Sequence, residues 1–316
     1  MSRIPVLAAA KLSPLYAALL EQRFQFLDRA HEGDAAAFAA LAPTIRGLAA
    51  SGDSRVGADL IARLPALEII AVMGVGYDGI DVAAAKARGI VVTHTPDVLN
   101  DDVADLAIGL MLSAARQLPA ADRWVREGRW EAQGAMPLAR KVSGARLGIV
   151  GIGRIGQAIA QRAAAFGMQI AYTARSARPE LAYRFVPDVK ALAAESDYLV
   201  VITPGGAGTR HLVDAEVLRA LGSKGILVNV ARGSVVDESA LCDALEQGVL
   251  GGAALDVFAD EPRVPGRLKA LPHVVLAPHI GSATTATRQA MAALACANLE
   301  AHFAGRTLPT PVPECR

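Results

Sequence analysis

The sequence predicts an α/β protein of two doubly wound parallel sheets, one of them in a domain assembled from two separated stretches of chain. Three observations carry this. Short β-branched or aliphatic runs alternate with longer Ala-rich amphipathic segments through the 316 residues, which is the pattern of βαβ units with covered parallel strands. One of those runs closes on a glycine-rich turn that opens straight into a helix. A long helical stretch over residues 101–127 then interrupts the rhythm of short helices, as a connection between two domains does. The length accommodates two domains of ordinary size.

The elements follow in order. Residues 4–10 open the chain with a first strand at Ile4–Leu7. The preceding Met1 through Leu7 carries an Arg and a short apolar run, but Lys11, Pro14 and Glu21-Gln22-Arg23 break it up too soon for a secretory leader. Ile69–Val72 and Ile90–Thr93 are the next strands. The 101–127 helix begins at Asp101-Asp102, whose charges suit the positive end of a helix dipole. Pro119 divides it, because a helix interior tolerates Pro badly. Leu147–Val150, Ile170–Tyr172, Tyr198–Ile202, Ile226–Val230, Gly252–Asp256 and Val274–Leu276 follow as strands, with right-handed crossovers between them. A boundary near Gly281–Thr285 and a last helix over about 285–304 return the chain to its first domain. The expected division is therefore 1–99 plus 285–316 for one domain and 100–284 for the other.

Composition excludes several classes. With 53% apolar residues the chain has ample core material, so disorder is excluded as the main state. Aromatics make up only 4%, so small aliphatic side chains do most of the packing. Thirty-two basic residues against 31 acidic give a net charge of +1, with no basic stripe of the kind nucleic acid demands. Cys242, Cys296 and Cys315 form no CxxC pair, so neither a disulfide framework nor a zinc site is expected. No apolar run approaches the roughly 18 residues of a membrane helix. The expectation is a soluble cytoplasmic protein with no metal, no membrane and no nucleic-acid partner.

The strongest local signal is Gly151-Ile152-Gly153-Arg154-Ile155-Gly156, between the apolar run Leu147–Val150 and the helical Gln157–Ala165. This is GxGxxG in the strand–turn–helix setting of a dinucleotide site. The first glycine makes the tight turn, the second lets a pyrophosphate approach the backbone, and the third allows close helix–strand packing. The helix N-terminus then offers N–H groups to the phosphates. An NAD site usually places a carboxylate about 20 residues on to bind the ribose hydroxyls. Here the second strand ends Tyr172-Thr173 and continues Ala174-Arg175-Ser176-Ala177-Arg178. An Arg fork and a Ser hydroxyl suit a 2′-phosphate that an Asp would repel, so the cofactor expected is NADP(H).

Three more segments lie just past strands, on the side where such folds place ligands. Asn229-Val230-Ala231-Arg232-Gly233 offers a cation, Asp256 through Glu261-Pro262 carboxylates, and Ala277-Pro278-His279-Ile280-Gly281 an imidazole. Together they suit reduction of a 2-keto acid. A protonated His279 can give a proton to the carbonyl oxygen as charge builds there. A neighbouring carboxylate favours the charged imidazole, and Arg232 can hold the substrate carboxylate and polarise the carbonyl. The remaining histidines, His31, His94, His211, His273 and His302, are read as structural.

The chain resembles the D-isomer-specific 2-hydroxyacid dehydrogenase family. The matching text is collinear: Gly74-Val75-Gly76-Tyr77-Asp78-Gly79-Ile80-Asp81, Val103-Ala104-Asp105, Gly151–Gly156, Asn229–Gly233, Asp260-Glu261-Pro262 and Pro278-His279-Ile280-Gly281-Ser282. Within the family, Pro204-Gly205-Gly206 and Ala174-Arg175-Ser176 look most like NADPH-dependent glyoxylate/hydroxypyruvate reductases and the related hydroxyphenylpyruvate reductases. The resemblance implies two Rossmann-like domains, a split substrate domain, and a homodimer built largely on the nucleotide domain with the 101–127 region at the interface. It implies that His279 is the acid/base, that Glu261 pairs with it, that Arg232 binds the substrate, and that the Val75 and Gly76 amides hold its carboxylate. Glycines at 74 and 76 leave those amides accessible. Cofactor contacts are implied for Gly151, Ile152, Gly153, Arg154, Ile155, Gly156, Ala174, Arg175, Ser176, Thr203, Val230, Asp256 and Gly281, with Asp256 on the nicotinamide carboxamide. One departure is Asn100, where the family commonly has Thr; Asn can still cap the helix that follows.

The activity expected is NADPH-dependent reduction of glyoxylate or hydroxypyruvate. The alternatives are an NAD-linked 2-hydroxyacid dehydrogenase, a reductase of a bulkier keto acid, and a non-catalytic nucleotide-sensing regulator. Leu7-Ala8, Met73 and the Trp130–Leu138 stretch with Met136 are candidate substrate walls that equally suit core or interface.

Overall fold

The computed structural model describes residues 3–315. Met1 and Ser2 of the N-terminal stretch, and Arg316 at the end of the expected substrate domain, lie outside the described residues. The chain divides into two compact units, Met1–Leu99 with Ala283–Arg316, and Asn100–Ser282.

Among the described residues the smaller unit holds five strands: β1 (Pro5–Ala8), β2 (Gln25–Asp28), β3 (Gly47–Ser51), β4 (Ile69–Met73) and β5 (Val91–Thr93). They pair in parallel in the order β2-β1-β3-β4-β5, the flavodoxin-like winding. All five residues of β4 are buried, as a strand covered on both faces requires. Sequence periodicity did not show β2 or β3. In β2, Gln25 and Asp28 are exposed, as an edge strand allows. In β3, Gly-Leu-Ala-Ala-Ser has helix-forming alanines, and tertiary packing overrides the propensity. A Cβ on Gly47 would meet Val6 at 3.1 Å and Phe303 at 3.3 Å, so β3 is small because its neighbours are close. The helix Thr285–Phe303 returns to pack on β4 and on the helix Pro14–Arg23. Leu7, Ala8 and Met73 are core residues here, 0%, 0% and 4% exposed. That is the core alternative open to them in the sequence: both faces of these strands are covered, so consecutive residues are buried.

The larger unit holds seven strands: β6 (Arg146–Val150), β7 (Gln169–Thr173), β8 (Arg184–Phe185), β9 (Tyr198–Val201), β10 (Ile226–Asn229), β11 (Gly252–Leu255) and β12 (Val274–Leu276). Their order is β12-β11-β10-β9-β6-β7-β8, all parallel. The winding reverses between β6 and β9, the crevice where doubly wound sheets bind ligands. The two parallel α/β sheets are the fold class the sequence predicts. The 101–127 segment is two helices, Asn100–Arg116 and Leu118–Arg126, separated by Gln117 at φ 53°. Pro119 sits in the first turn of the second, where its missing N–H costs nothing. Asn100 is the first residue of its helix rather than a residue preceding it.

Candidate active site

The glycine turn follows β6, and its three glycines do three different jobs. Gly151 has φ 103°, and a Cβ there would lie 2.7 Å from the Ile202 carbonyl oxygen. It also lies close to the Thr203 amide, so the end of β9 closes against the turn. Gly156 faces Gly151 itself, and a Cβ would overlap the Gly151 carbonyl oxygen. Gly153 is different: a Cβ there would project into open space. It is also the N-cap of the helix Arg154–Ala165 and places no side chain over the first-turn amides. By contrast, Asp188, Asp214 and Asp237 cap neighbouring helices with their carboxylates. The open cradle at 153 and the uncapped helix end fit a pyrophosphate. Ile152 is buried beneath the turn. At the end of β7, Arg175 and Ser176 are exposed and no carboxylate follows Thr173. Arg178 is committed elsewhere: its amide donates to the Tyr172 hydroxyl at 2.6 Å and its guanidinium faces Glu180.

Because β10, β11 and β12 are neighbours, the three loops at their C-terminal ends are neighbours too. Arg232 lies three residues past β10, Asp256 directly past β11, and His279 three past β12. His279 Nδ1 is 2.7 Å from Glu261 Oε2, with the two side chains 31% and 30% exposed. Glu261 Oε1 accepts the Phe258 N–H at 3.0 Å, so both oxygens of this carboxylate are oriented. Burial pushes the Glu261 carboxyl up. The hydrogen bond to His279, the Phe258 amide and the charges of His279 and Arg232 outweigh that and hold it below the ordinary 4.5.

His279 has φ 53°, a left-handed conformation that a non-glycine residue adopts at a cost of about 1–2 kcal/mol. Asp256 supplies the restraint. It is 1% exposed. Its carbonyl accepts the His279 N–H at 2.9 Å, and its two carboxylate oxygens accept the Ile280 and Gly281 N–H groups at 2.7 and 2.8 Å. Burial raises the Asp256 carboxyl above its ordinary value, and these bonds recover only part of the shift.

Two residues that motif reading left without a role complete the frame. Asn229 is 1% exposed; its Oδ1 accepts the Ala231 N–H and its Nδ2 donates to the Arg232 carbonyl, both at 3.1 Å, which sets the turn that carries Arg232. A polar residue ending an apolar strand was the available signal. Glu238 accepts the Ala259 N–H at 3.1 Å, and nothing in its local sequence marked it. Gly233 is obligatory because a Cβ would overlap the Phe258 carbonyl, where the Arg232 and Glu261 loops press together. Val230 and Gly281 are buried beside these loops.

In the smaller unit, Gly74-Val75-Gly76 follows β4. Neither the Val75 nor the Gly76 amide donates a hydrogen bond among the described residues. Both residues are partly accessible, and two successive uncommitted amides are chemically suited to an anion.

The NAD-binding-domain model of the D-isomer specific 2-hydroxyacid dehydrogenases matches residues 108–281. The chain belongs to the D-isomer specific 2-hydroxyacid dehydrogenase family. It is 52% identical over 269 residues to a glyoxylate/hydroxypyruvate reductase of Arabidopsis thaliana, covering 85% of this chain and 86% of the relative. It is 46% identical over 313 residues to the hydroxyphenylpyruvate reductase of Plectranthus scutellarioides, covering 99% and 100%. Among solved structures, the NADPH-dependent glyoxylate/hydroxypyruvate reductase of Sinorhizobium meliloti, in complex with NADP and malonate, superposes with a TM-score of 0.93 at 45% identity, covering 99% and 98%. Among the described residues no helix is long and apolar enough to cross a membrane.

Proposed function

We propose that this 2-hydroxyacid dehydrogenase reduces a small 2-keto acid, glyoxylate or hydroxypyruvate, with NADPH, giving the D-2-hydroxy acid where the product is chiral. The observation that carries it is the His279–Glu261 pair, held by Asp256 and set beside the Arg232 turn at neighbouring strand ends. A reduced nicotinamide, when bound, supplies the hydride. Nδ1 of His279 is engaged by Glu261, so Nε2 carries the proton that reaches the carbonyl oxygen as negative charge builds there. Glu261 stays ionised through the neutral range and stabilises the imidazolium in its proton-donating form. Arg232 binds the substrate carboxylate and polarises the carbonyl, and the role of the Val75 and Gly76 amides is to bind a substrate carboxylate.

The glycine cradle of residues 151–156 takes the pyrophosphate, with further cofactor contacts from Ala174, Thr203, Val230, Asp256 and Gly281. Arg175 and Ser176 read the 2′-phosphate. Support for NADP(H) over NAD(H) comes from their exposure at the end of β7 and from the NADP complex of the Sinorhizobium relative. The same reading takes the enzyme as a cytoplasmic homodimer. Leu118, Val125, Trp130 and Leu138 stand 51%, 57%, 65% and 99% exposed on and just beyond the Leu118–Arg126 helix, apolar surface of the kind a second copy covers.

The test is NADPH oxidation by the purified protein with glyoxylate or hydroxypyruvate, set against NADH. His279→Ala, with its fold intact, loses at least a hundredfold in kcat. Undiminished turnover in that variant overturns the assignment. A second reading, reduction of a bulkier aryl-pyruvate, is favoured by the likeness to hydroxyphenylpyruvate reductase across 99% of the chain, and a hydroxyphenylpyruvate arm in the same assay separates the two.

A further inference from the structure

We propose that His94 is a positioning residue for substrate-carboxylate recognition: its imidazole, with the Thr95 amide, aims the Val75 and Gly76 N–H groups at the anion. The inference rests on the carboxylate-binding role proposed above for those two amides.

In a trans peptide the C=O of one residue and the N–H of the next point in opposite directions. The only cis bond among the described residues is Glu261–Pro262, so the 74–75 and 75–76 peptides are trans. The Gly74 carbonyl shares a plane with the Val75 N–H, and the Val75 carbonyl shares one with the Gly76 N–H. Fixing the two carbonyls therefore fixes the two donors.

Both carbonyls are fixed from one side, by consecutive residues. The Thr95 N–H donates to the Gly74 carbonyl at 2.8 Å. His94 Nδ1 lies 3.1 Å from the Val75 carbonyl oxygen. A carbonyl only accepts, so Nδ1 carries the proton. The Val75 and Gly76 N–H groups consequently face away from the 94–95 segment, and neither has a hydrogen-bond partner among the described residues. Donation to the Val75 carbonyl also polarises that peptide and strengthens its N–H as a donor.

His94 is itself rigid. It is 8% exposed. Its N–H donates to the Thr310 carbonyl at 3.1 Å, and its carbonyl accepts the Thr310 hydroxyl at 2.6 Å. Its ring stands edge-on to Tyr77 with centroids 5.3 Å apart. Gly76 needs such a restraint, because a glycine on one side of a peptide lets the plane turn over at little cost. Gly74 is packed backbone against backbone, since a Cβ there would lie 2.9 Å from Gly52 Cα. An apolar side chain at 94 leaves the Val75–Gly76 peptide without its anchor, and one of the two anion donors loses its direction.

The experiment compares His94→Leu with His94→Gln, which keeps a donor, in NADPH-dependent glyoxylate reduction. KM for glyoxylate in H94L rises about tenfold, the value of one hydrogen bond of roughly 1.4 kcal/mol. Its kcat stays within twofold, the NADPH dissociation constant read by nicotinamide fluorescence is unchanged, and H94Q recovers most of the KM. An unchanged KM in H94L overturns the proposal. So does a parallel loss of kcat, KM and NADPH affinity that H94Q does not rescue. If H94L does not fold, 15N NMR of the wild-type ring decides: a protonated Nδ1 supports the proposal, and an Nε2–H tautomer with bare Nδ1 refutes it. Arg232→Ala and His279→Ala run alongside. If those leave glyoxylate turnover intact, the functional reading itself fails; if they abolish it while H94L keeps its KM, only the role of His94 falls.

Discussion

Replacing Glu261 by Gln removes a charge and leaves a side chain of the same length between Phe258 and His279. The pair it disturbs is 2.7 Å long and about one-third exposed on each side. A hydrogen bond to a charged group is worth about 1.5–3 kcal/mol and one between neutral partners about half that. Partial exposure screens the pair further, so the charge contributes roughly 1.5 kcal/mol. At 1.36 kcal/mol per decade, E261Q loses about tenfold in kcat/KM for keto-acid reduction near pH 7. The Glu261 carboxyl is held below its ordinary 4.5, so the stabilising charge is fully present above that value and is lost only as pH falls below it. Through the neutral range the wild-type carboxylate favours the imidazolium, and the variant's amide does not. The reductive rate of E261Q therefore starts to fall at lower pH than that of the wild type, and its deficit grows with pH. The assay is kcat/KM for glyoxylate with saturating NADPH from pH 5 to 9. Superimposable profiles of variant and wild type refute the reasoning, because they mean that the carboxylate does not stabilise the proton-donating imidazole.

Three other outcomes are expected. Arg175→Ala lowers kcat/KM for NADPH about tenfold, as the loss of an exposed charge-assisted contact does, and leaves NADH within twofold; equal losses with both cofactors exclude a phosphate-reading role. Gly233→Ala drives a methyl into the Phe258 carbonyl and destabilises the fold by at least about 3 kcal/mol, seen as a large drop in Tm; an unchanged Tm shows that the two loops are not tightly apposed. In thiol titration of the native protein with a disulfide reagent, Cys315, which is partly accessible, reacts first; Cys296, pushed up to about 12 by burial, and Cys242, raised by burial, react only on unfolding, and three fast thiols contradict this packing.

The proposed catalytic constellation was legible because it is local. Gly151–Gly156, Arg232, Glu261 and His279 each sit within a few residues of the apolar run that positions them, and a motif at a strand end states its own location. Strands whose sequences lack that contrast were not legible. Ala-rich β3 reads as helix until its neighbours crowd it, and β2 and β8 are short edge strands with no apolar signature. The frame around the site was hidden for the same reason. Asn229 lies in an apolar run whose hydrogen bonds reach the turn two and three residues on, and Glu238 meets Ala259 across 21 residues of chain.

The sequence by itself determined the alternation of strand and helix, the glycine turn, the absent carboxylate after β7, and the chemical types at 232, 261 and 279. These are matters of periodicity, backbone freedom and side-chain chemistry, which each residue carries wherever it is placed. Only the tertiary structure decided which groups share an atom-to-atom contact. It gave Asp256 the backbone of residues 279–281 to hold, fitted Gly233 against Phe258, and turned His94, which read as an ordinary core histidine, onto the Val75 carbonyl 19 residues away. Contacts of that kind depend on the order in which parallel strands lie side by side, and strand order is set by packing and handedness rather than by any residue's neighbours in the chain.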